Sequence, residues 1–356
     1  MPVGTERTPS LYVGVGASAG GLEAFKQLLS ALPDQSQMTF LLVQHLDPTH
    51  PSMLTELLAP HTHMVVKQAE HGERLLPDTI YVVPSDSALA VHGGCIELSP
   101  ASTDRGARLS VDHLFLSLAR DQGHKAVAIV LSGAGSDGSS GVRSIKTAGG
   151  LVLAQEPSSC GQSSMPEAAI DTGAVDLVLP IDAIPDALRR FQDMPPLARK
   201  EPEDDEDLDQ PHDPGFTDER FERLASILDV GIAFDLRAYK SGTVGRRVHR
   251  RMGLGGFDSI DAYLDQLEEE PSEQQVLVQD LFISVTEFYR DEQAFQALRV
   301  SAIEPLVMST AGGDVVRAWV AGCATGEEAY SIAIELMETA EKYGKRVAIQ
   351  LFATDL

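Results

Sequence analysis

A serine stands inside a glycine-rich turn, in the string Gly14-Val15-Gly16-Ala17-Ser18-Ala19-Gly20-Gly21. The turn follows a short apolar run (Leu11, Tyr12, Val13, Val15), and after it Leu22, Phe25, Leu28, Leu29 and Leu32 recur at helical spacing. A serine on a strand-to-helix turn holds its hydroxyl clear of the backbone, near the positive end of the helix dipole. The same string satisfies Gly-x-Gly-x-x-Ala, a dinucleotide fingerprint. Two features separate these readings. A dinucleotide site wants an acidic residue at the end of the next strand, to hold the ribose hydroxyls. The next strand, Thr39–Val43, runs instead into Gln44-His45-Leu46-Asp47-Pro48. A later loop, Leu131 to Gly138, follows another apolar run and supplies Asp137. Serine, histidine and aspartate on three strand-end loops are the parts of a nucleophile, its base and the group that orients the base. The residues favour a hydrolase over an NAD-dependent oxidoreductase.

The chemistry explains why these residue types belong together. A hydroxyl is a poor nucleophile until a base takes its proton, and an imidazole with a pKa near ~6.5 does this at neutral pH. A buried carboxylate holds the imidazole tautomer and stabilises the imidazolium. Taken alone, a serine in a glycine turn is more often a helix cap. Other histidines (His50, His61, His63, His71) fall in loop-like stretches, so it is the combination of Ser18, His45 and Asp137 that carries the reading.

Positioning these loops requires a framework, and residues 10–192 supply one. Strand-like runs occur at Leu11–Gly16, Thr39–Val43, Ile80–Val83, Ala126–Leu131, Leu151–Ala154 and Val175–Leu179. They are rich in Val, Ile and Leu without clean alternation, as strands buried on both faces should be. Helical patterns cover Gly21–Leu32, Pro51–Leu58, Val111–Gln122, Val142–Ala148 and Ile184–Phe191. The fold class is α/β, a three-layer sandwich about a mostly parallel sheet.

Residues 193–215 hold Pro195-Pro196, the acidic run from Glu201 to Asp209, then Pro211 and Pro214, which reads as a solvated linker. Residues 216–299 follow a helical pattern and form a small all-helical domain. From 300 to 356 a strand (Val315–Val320), a glycine loop, a helix to about Tyr343 and a strand (Arg346–Phe352) open a second α/β unit, of Rossmann-like type.

The chain has 356 residues, 43% of them hydrophobic and 23% charged, an ordinary soluble balance. The formal charge of −25 opposes general nucleic-acid binding, since phosphates would be repelled over most of the surface. No stretch is long and apolar enough for membrane insertion. Three scattered cysteines (Cys95, Cys160, Cys323) suggest a reduced, cytoplasmic setting and no metal site.

Several motifs together carry a family resemblance. Gly16-Ala17-Ser18-Ala19-Gly20-Gly21, Val43-Gln44-His45, Gly135-Ser136-Asp137-Gly138 and Met165-Pro166-Glu167-Ala168-Ala169 appear in the order found in the catalytic domain of the chemotaxis receptor methylesterase, CheB. The segment from about 216 resembles the opposing methyltransferase, CheR, in its helical N-terminal domain and the start of its methyl-donor fold. The order resembles CheB–CheR fusion proteins. The resemblance implies Ser18 as nucleophile, His45 as general base and Asp137 as the orienting carboxylate. The Ala19 backbone N–H is a candidate oxyanion donor as the residue after the nucleophile, and the resemblance implies a second in the Gly133–Gly135 turn, at Ala134, where the family often has methionine. The implied substrate is the γ-methyl ester of a receptor glutamate, with glutamine deamidation a further expectation; the esterase needs no cofactor. For the C-terminal part the cofactor implied is S-adenosylmethionine. Asp355, ending the strand after the loop Gly322-Cys323-Ala324-Thr325-Gly326, has the position of a ribose-holding carboxylate. By resemblance Glu327, Asp355, Ser284, Thr286 and Arg290 contact the cofactor, with serine at 284 where the family often has asparagine.

The basic helical cluster Arg246, Arg247, His249, Arg250 and Arg251 is, by resemblance, a docking surface for the acidic cytoplasmic helices of methyl-accepting receptors, a charge-complementary match. Two further expectations follow. The methyl-donor fold lacks the later strands that would build its acceptor pocket, so the methyltransferase reads as incomplete. No receiver domain precedes the esterase. A signalling scaffold whose second half binds without turnover is the alternative.

Overall fold

A computed structural model describes residues 8–44, 53–85, 87–100, 110–194, 216–232, 234–239, 241–282, 288–289, 291–311, 313–324 and 326–355. Its centre is a seven-stranded parallel sheet of β1 (Tyr12–Ala17), β2 (Thr39–Gln44), β3 (Val65–Gln68), β4 (Thr79–Val82), β7 (Ala126–Val130), β8 (Leu151–Gln155) and β9 (Leu177–Leu179), in the order β3-β4-β2-β1-β7-β8-β9. The strand order reverses about β1, which pairs with β2 on one side and β7 on the other. Loops leaving the C-terminal ends at such a point frame a crevice.

Alternate residues of β1 feed the two faces. Val13, Val15 and Ala17 pack with α1 (Gly21–Ala31), α2 (Leu54–Leu58) and α6 (Ile184–Asp193) through Phe25, Leu28, Leu58 and Leu188. On the other face Tyr12 joins Val111, Phe115 and Leu118 of α3 (Ser110–Gln122), Ile145 of α4 (Ser139–Thr147) and Met165 of α5 (Ser164–Ile170). Gly14 and Gly16 point toward this second face. A Cβ on Gly14 would lie 2.8 Å from Leu118 Cδ1, and one on Gly16 would lie 2.4 Å from Val111 Cγ1. These glycines thus let α3 lie directly on β1, and side chains fill the space a dinucleotide would need. Gly16→Ala is expected to lower stability by about 1–3 kcal/mol through overpacking, read as a fall in the urea midpoint.

The Val/Ile/Leu runs become strands as expected. The sequence reading omits β3, because Val65-Val66-Lys67-Gln68 is a half-exposed edge strand with little apolar signal. It also omits the antiparallel hairpin β5 (Ser87–His92) and β6 (Cys95–Pro100), which stands outside the parallel sheet. The Gly93-Gly94 turn, with φ +57 and +72, is the signal that could have found it. Helix α2 begins at Leu54; residues 51 and 52 lie outside the described residues.

After the linker, which lies outside the described residues up to 215, come α7 (Asp218–Ile232), α8 (Ser241–Gly255), α9 (Ile260–Glu269) and α10 (Pro271–Phe282). They share a core of Leu224, Leu228, Val244, Val248, Tyr263, Leu264 and Leu277. The chain divides into two compact units, 1–283 and 284–356, so the helical segment belongs with the sandwich. The division falls ahead of the 299/300 boundary read from the sequence. α11 (Glu292–Leu298) runs through a π-helical turn (Arg299–Ile303) into α12 (Glu304–Ser309), and Arg299 pairs with Glu335 farther along the second unit. That unit also contains the parallel pair β10 (Val315–Ala321) and β11 (Ala348–Thr354), with α13 (Glu327–Lys342) between them in sequence. Among the described residues, no helix is long and apolar enough to cross a membrane.

Candidate active site

Ser18 follows β1 directly and is half-buried, with Ala19 and Gly20 exposed beside it. The turn closes because the Gly21 N–H donates to Ser18 O at 2.8 Å and Gly20 takes φ +80, a conformation costly for a side chain. Helix α1 starts at once, so its positive end lies under the hydroxyl.

The neighbouring strand ends bring the other loops alongside. In register Gly16 faces Val130 of β7, and Ala17 faces Gln44 of β2. The β7 loop then folds against the serine: a Cβ on Gly133 would lie 3.0 Å from both Ser18 Cβ and Ser18 N. Ala134 is exposed in that loop. The N–H groups of Ala19 and Ala134 find no acceptor among the described residues. His45, next after Gln44, lies outside the described residues.

Asp137 is 5% exposed, and its two oxygens accept from the N–H groups of Val111 and Asp112, each at 2.9 Å. It therefore caps α3, a role not contained in the sequence reading. A carboxylate has about four acceptor positions, so this use is compatible with holding an imidazole as well. Asp112 answers across the gap, accepting the Gly141 N–H of α4 at 2.6 Å. Burial pushes the Asp112 carboxyl up, the Gly141 hydrogen bond opposes this, and the Asp137 charge adds to the rise. Cys160, in the loop after β8, is held up as a thiol by burial and by Glu167 and Glu156. A thiol so disposed is a weak nucleophile.

Sequence reasoning missed Ser132 and Gln155, both 2% exposed. Ser132 takes the Ser18 N–H on its carbonyl at 3.1 Å, and its hydroxyl lies 3.1 Å from Ala19 O. The Ser132 N–H is held by Gln155 Oε1 at 2.9 Å.

In the second unit the loop after β10 is pinned to the end of β11. The N–H of Gly322 donates to Thr354 O at 2.8 Å, and the N–H of Ala324 donates to Asp355 Oδ2 at 2.5 Å. Gly322 and Gly326 take φ +71 and +103, and a Cβ on Gly322 would meet nothing within 4 Å. An open backbone turn beside a strand-end carboxylate is a cradle that fits a nucleoside with free ribose hydroxyls. Glu327 opens α13 and is half-buried. Ser284, Thr286 and Arg290 lie outside the described residues.

The basic cluster on α8 requires correction. Arg250 and Arg251 are 2% and 4% exposed and cannot present a docking surface. Arg250 Nη2 reaches Asp176 Oδ2 at 3.1 Å and Gly150 O at 2.6 Å, and Arg251 clasps Glu273 through two bonds of 2.8 and 2.6 Å. Arg247 is half-buried and partnered, and the Arg246 side chain lies outside the described residues. The charges of Arg250 and Arg251 are spent inside the protein, where the helical segment meets the sandwich.

Comparison with known proteins gives three family matches: the CheB methylesterase over residues 13–188, the all-alpha domain of the CheR methyltransferase over 219–282, and its SAM (S-adenosylmethionine) binding domain over 284–356. An uncharacterized 104.1 kDa protein of Rhodobacter capsulatus is 35% identical over 316 residues, covering 85% of this chain and 33% of that protein. A protein-glutamate methylesterase/protein-glutamine glutaminase of Photorhabdus laumondii is 42% identical over 173 residues, covering 48% of this chain and 49% of that protein. The chain thus spans half or less of the length of these relatives. The crystal structure of the Thermotoga maritima CheB methylesterase catalytic domain matches with a TM-score of 0.47 and 30% identity, over 50% of this chain and 96% of that one. Residues 13–188 belong to the CheB methylesterase family, and the residues from 219 onward belong to the CheR methyltransferase family.

Proposed function

We propose that this chain hydrolyses glutamate γ-methyl esters on the cytoplasmic helices of chemotaxis receptors, with Ser18 as nucleophile, His45 as general base and Asp137 as the carboxylate that orients it. One observation carries the reading: the chain leaves β1 at Ser18, β2 just before His45, and β7 toward Asp137, on three adjacent strand ends. His45 takes the Ser18 proton as Oγ attacks the ester carbonyl. The oxyanion that forms is met by the N–H groups of Ala19 and Ala134, and His45 then protonates the departing methoxide, giving methanol and an acyl-enzyme. Water, deprotonated by the same imidazole, releases the carboxylate and restores the Ser18 hydroxyl. The name protein-glutamate methylesterase/protein-glutamine glutaminase among the relatives supports the same sequence with ammonia leaving from a glutamine side chain.

The second unit is the place for S-adenosylmethionine, which when bound supplies an electrophilic methyl group. Asp355 would hold its ribose hydroxyls, and the backbone at Gly322 and Gly326 would lie against the nucleoside. Glu327, Ser284, Thr286 and Arg290 complete the set by family resemblance.

A fluorophosphonate, which reacts only with an activated serine, tests the esterase. The expected result is one label, on the peptide containing Ser18, with methanol release from methylated receptor lost in proportion to labelling. Full activity in a chain fully labelled at Ser18, or a label confined to another serine, would overturn the assignment.

A further inference from the structure

We infer that Ser132 is a positioning residue that fixes the peptide between Ser18 and Ala19 for reaction; this rests on Ser18 being the nucleophile. The argument begins with what an oxyanion donor needs. The Ala19 N–H must be free, yet its peptide plane must not rotate, because a donor is useful only where the developing charge will sit. Residues on both sides of that peptide are held by one residue. The Ser132 carbonyl takes the Ser18 N–H at 3.1 Å, and the Ser132 hydroxyl donates to Ala19 O at 3.1 Å. The N–H of Ala19 lies between these two tethers and is left for the substrate.

Ser132 is itself held from two further directions. Its hydroxyl oxygen accepts the Gln162 N–H at 3.0 Å, while its backbone N–H donates to Gln155 Oε1 at 2.9 Å. The hydroxyl has one proton. Two carbonyls lie within its reach, Ala19 O at 3.1 Å and Gln162 O at 3.2 Å; given to Ala19 O, with the Gln162 N–H donating into the oxygen at 3.0 Å, it bridges the β1 and β8 loops. Gly20 fits the same arrangement, since a Cβ there would lie 2.9 Å from Ser132 Oγ. A brace of this kind is worth most in the transition state, when the oxyanion forms, and little to ground-state binding. It should therefore appear in kcat and not in KM.

The test compares Ser132→Ala with Ser132→Thr in the full chain, using methylated receptor and the fluorophosphonate. Ser132→Ala is expected to lower kcat, and the rate of Ser18 labelling with it, about ten- to a hundredfold with KM unchanged. Ser132→Thr, which restores the hydroxyl, should recover most of that loss. Unchanged kcat and labelling rate in Ser132→Ala, or a loss that Ser132→Thr fails to restore, would overturn the brace while leaving Ser18 as nucleophile. Absence of labelling at Ser18 in the parent chain would instead overturn the esterase reading itself. Should the alanine variant fail to fold, Ser132→Cys keeps the shape with a weaker donor, and the same intermediate loss of kcat is required of it.

Discussion

Ser18→Ala is expected to reduce methanol release from methylated receptor by about four to six orders of magnitude, with the fold intact. The size of the effect follows from the roles assigned. Without the hydroxyl there is no acyl-enzyme, and His45 and Asp137 lose the group they activate. What remains is the polarisation of the ester by the backbone N–H groups of Ala19 and Ala134. The substitution touches only a half-buried hydroxyl at the head of α1, so thermal stability should change by no more than about 0.5 kcal/mol. Circular dichroism beside the methanol assay separates loss of chemistry from loss of fold. A Ser18→Ala chain within tenfold of the parent rate would exclude serine nucleophilic catalysis.

The framework was readable in the sequence wherever one residue's chemistry decides its place. Runs such as Ala126-Val127-Ala128-Ile129-Val130 are apolar at every position, and only a strand buried on both faces uses them. The turn that carries Ser18 was readable for a similar reason, since the strand, the turn and the following helical stripe occupy consecutive residues. Ser132 was not. Its partners, Ala19 and Gln162, lie 113 and 30 residues away in the chain, and a bond from a hydroxyl to a distant carbonyl leaves no local pattern. The glycines of β1 were misleading in a different way. Gly14 and Gly16 spell a cofactor turn, yet what they accommodate is α3. Spacing records that something comes close to the backbone and not what it is.

The arginines of α8 make the same point about charge, and they carry the second large prediction. A basic run on a helix is written alike whether it faces solvent or a buried carboxylate 74 residues earlier. Asp176 is that carboxylate, with its side chain fully buried between Arg250 and Lys146. Burial pushes its carboxyl up, but the charges of Arg250 and Lys146, with hydrogen bonds from Lys146 and the Val152 N–H, outweigh this and hold it well below the usual carboxylate range. Lys146 reaches Asp280 of α10 at 2.6 Å as well, and Arg250 lies over the Phe191 ring of α6. Asp176→Asn keeps the volume and removes the charge, leaving Arg250 in a dry interior with only carbonyl oxygens as partners. The expected cost is about 3–5 kcal/mol, seen as a lower urea midpoint for residues 1–283. A carboxylate with a depressed folded pKa contributes stability above its unfolded pKa, ~3.9, and loses it as pH falls toward the folded value. The gap between parent and variant should therefore be constant from pH 5 to 8 and shrink below about pH 4. Adding Arg250→Met to Asp176→Asn removes both charges, and the double variant should regain much of the loss, because a paired charge replaced by apolar contact is close to neutral in stability. If Asp176→Asn alone shifts stability by less than about 1 kcal/mol, the cluster is not what seats the helical segment on the sandwich. The remaining contacts, chiefly Leu254 in the sandwich core and Gly253 against Met194, would then have to do it.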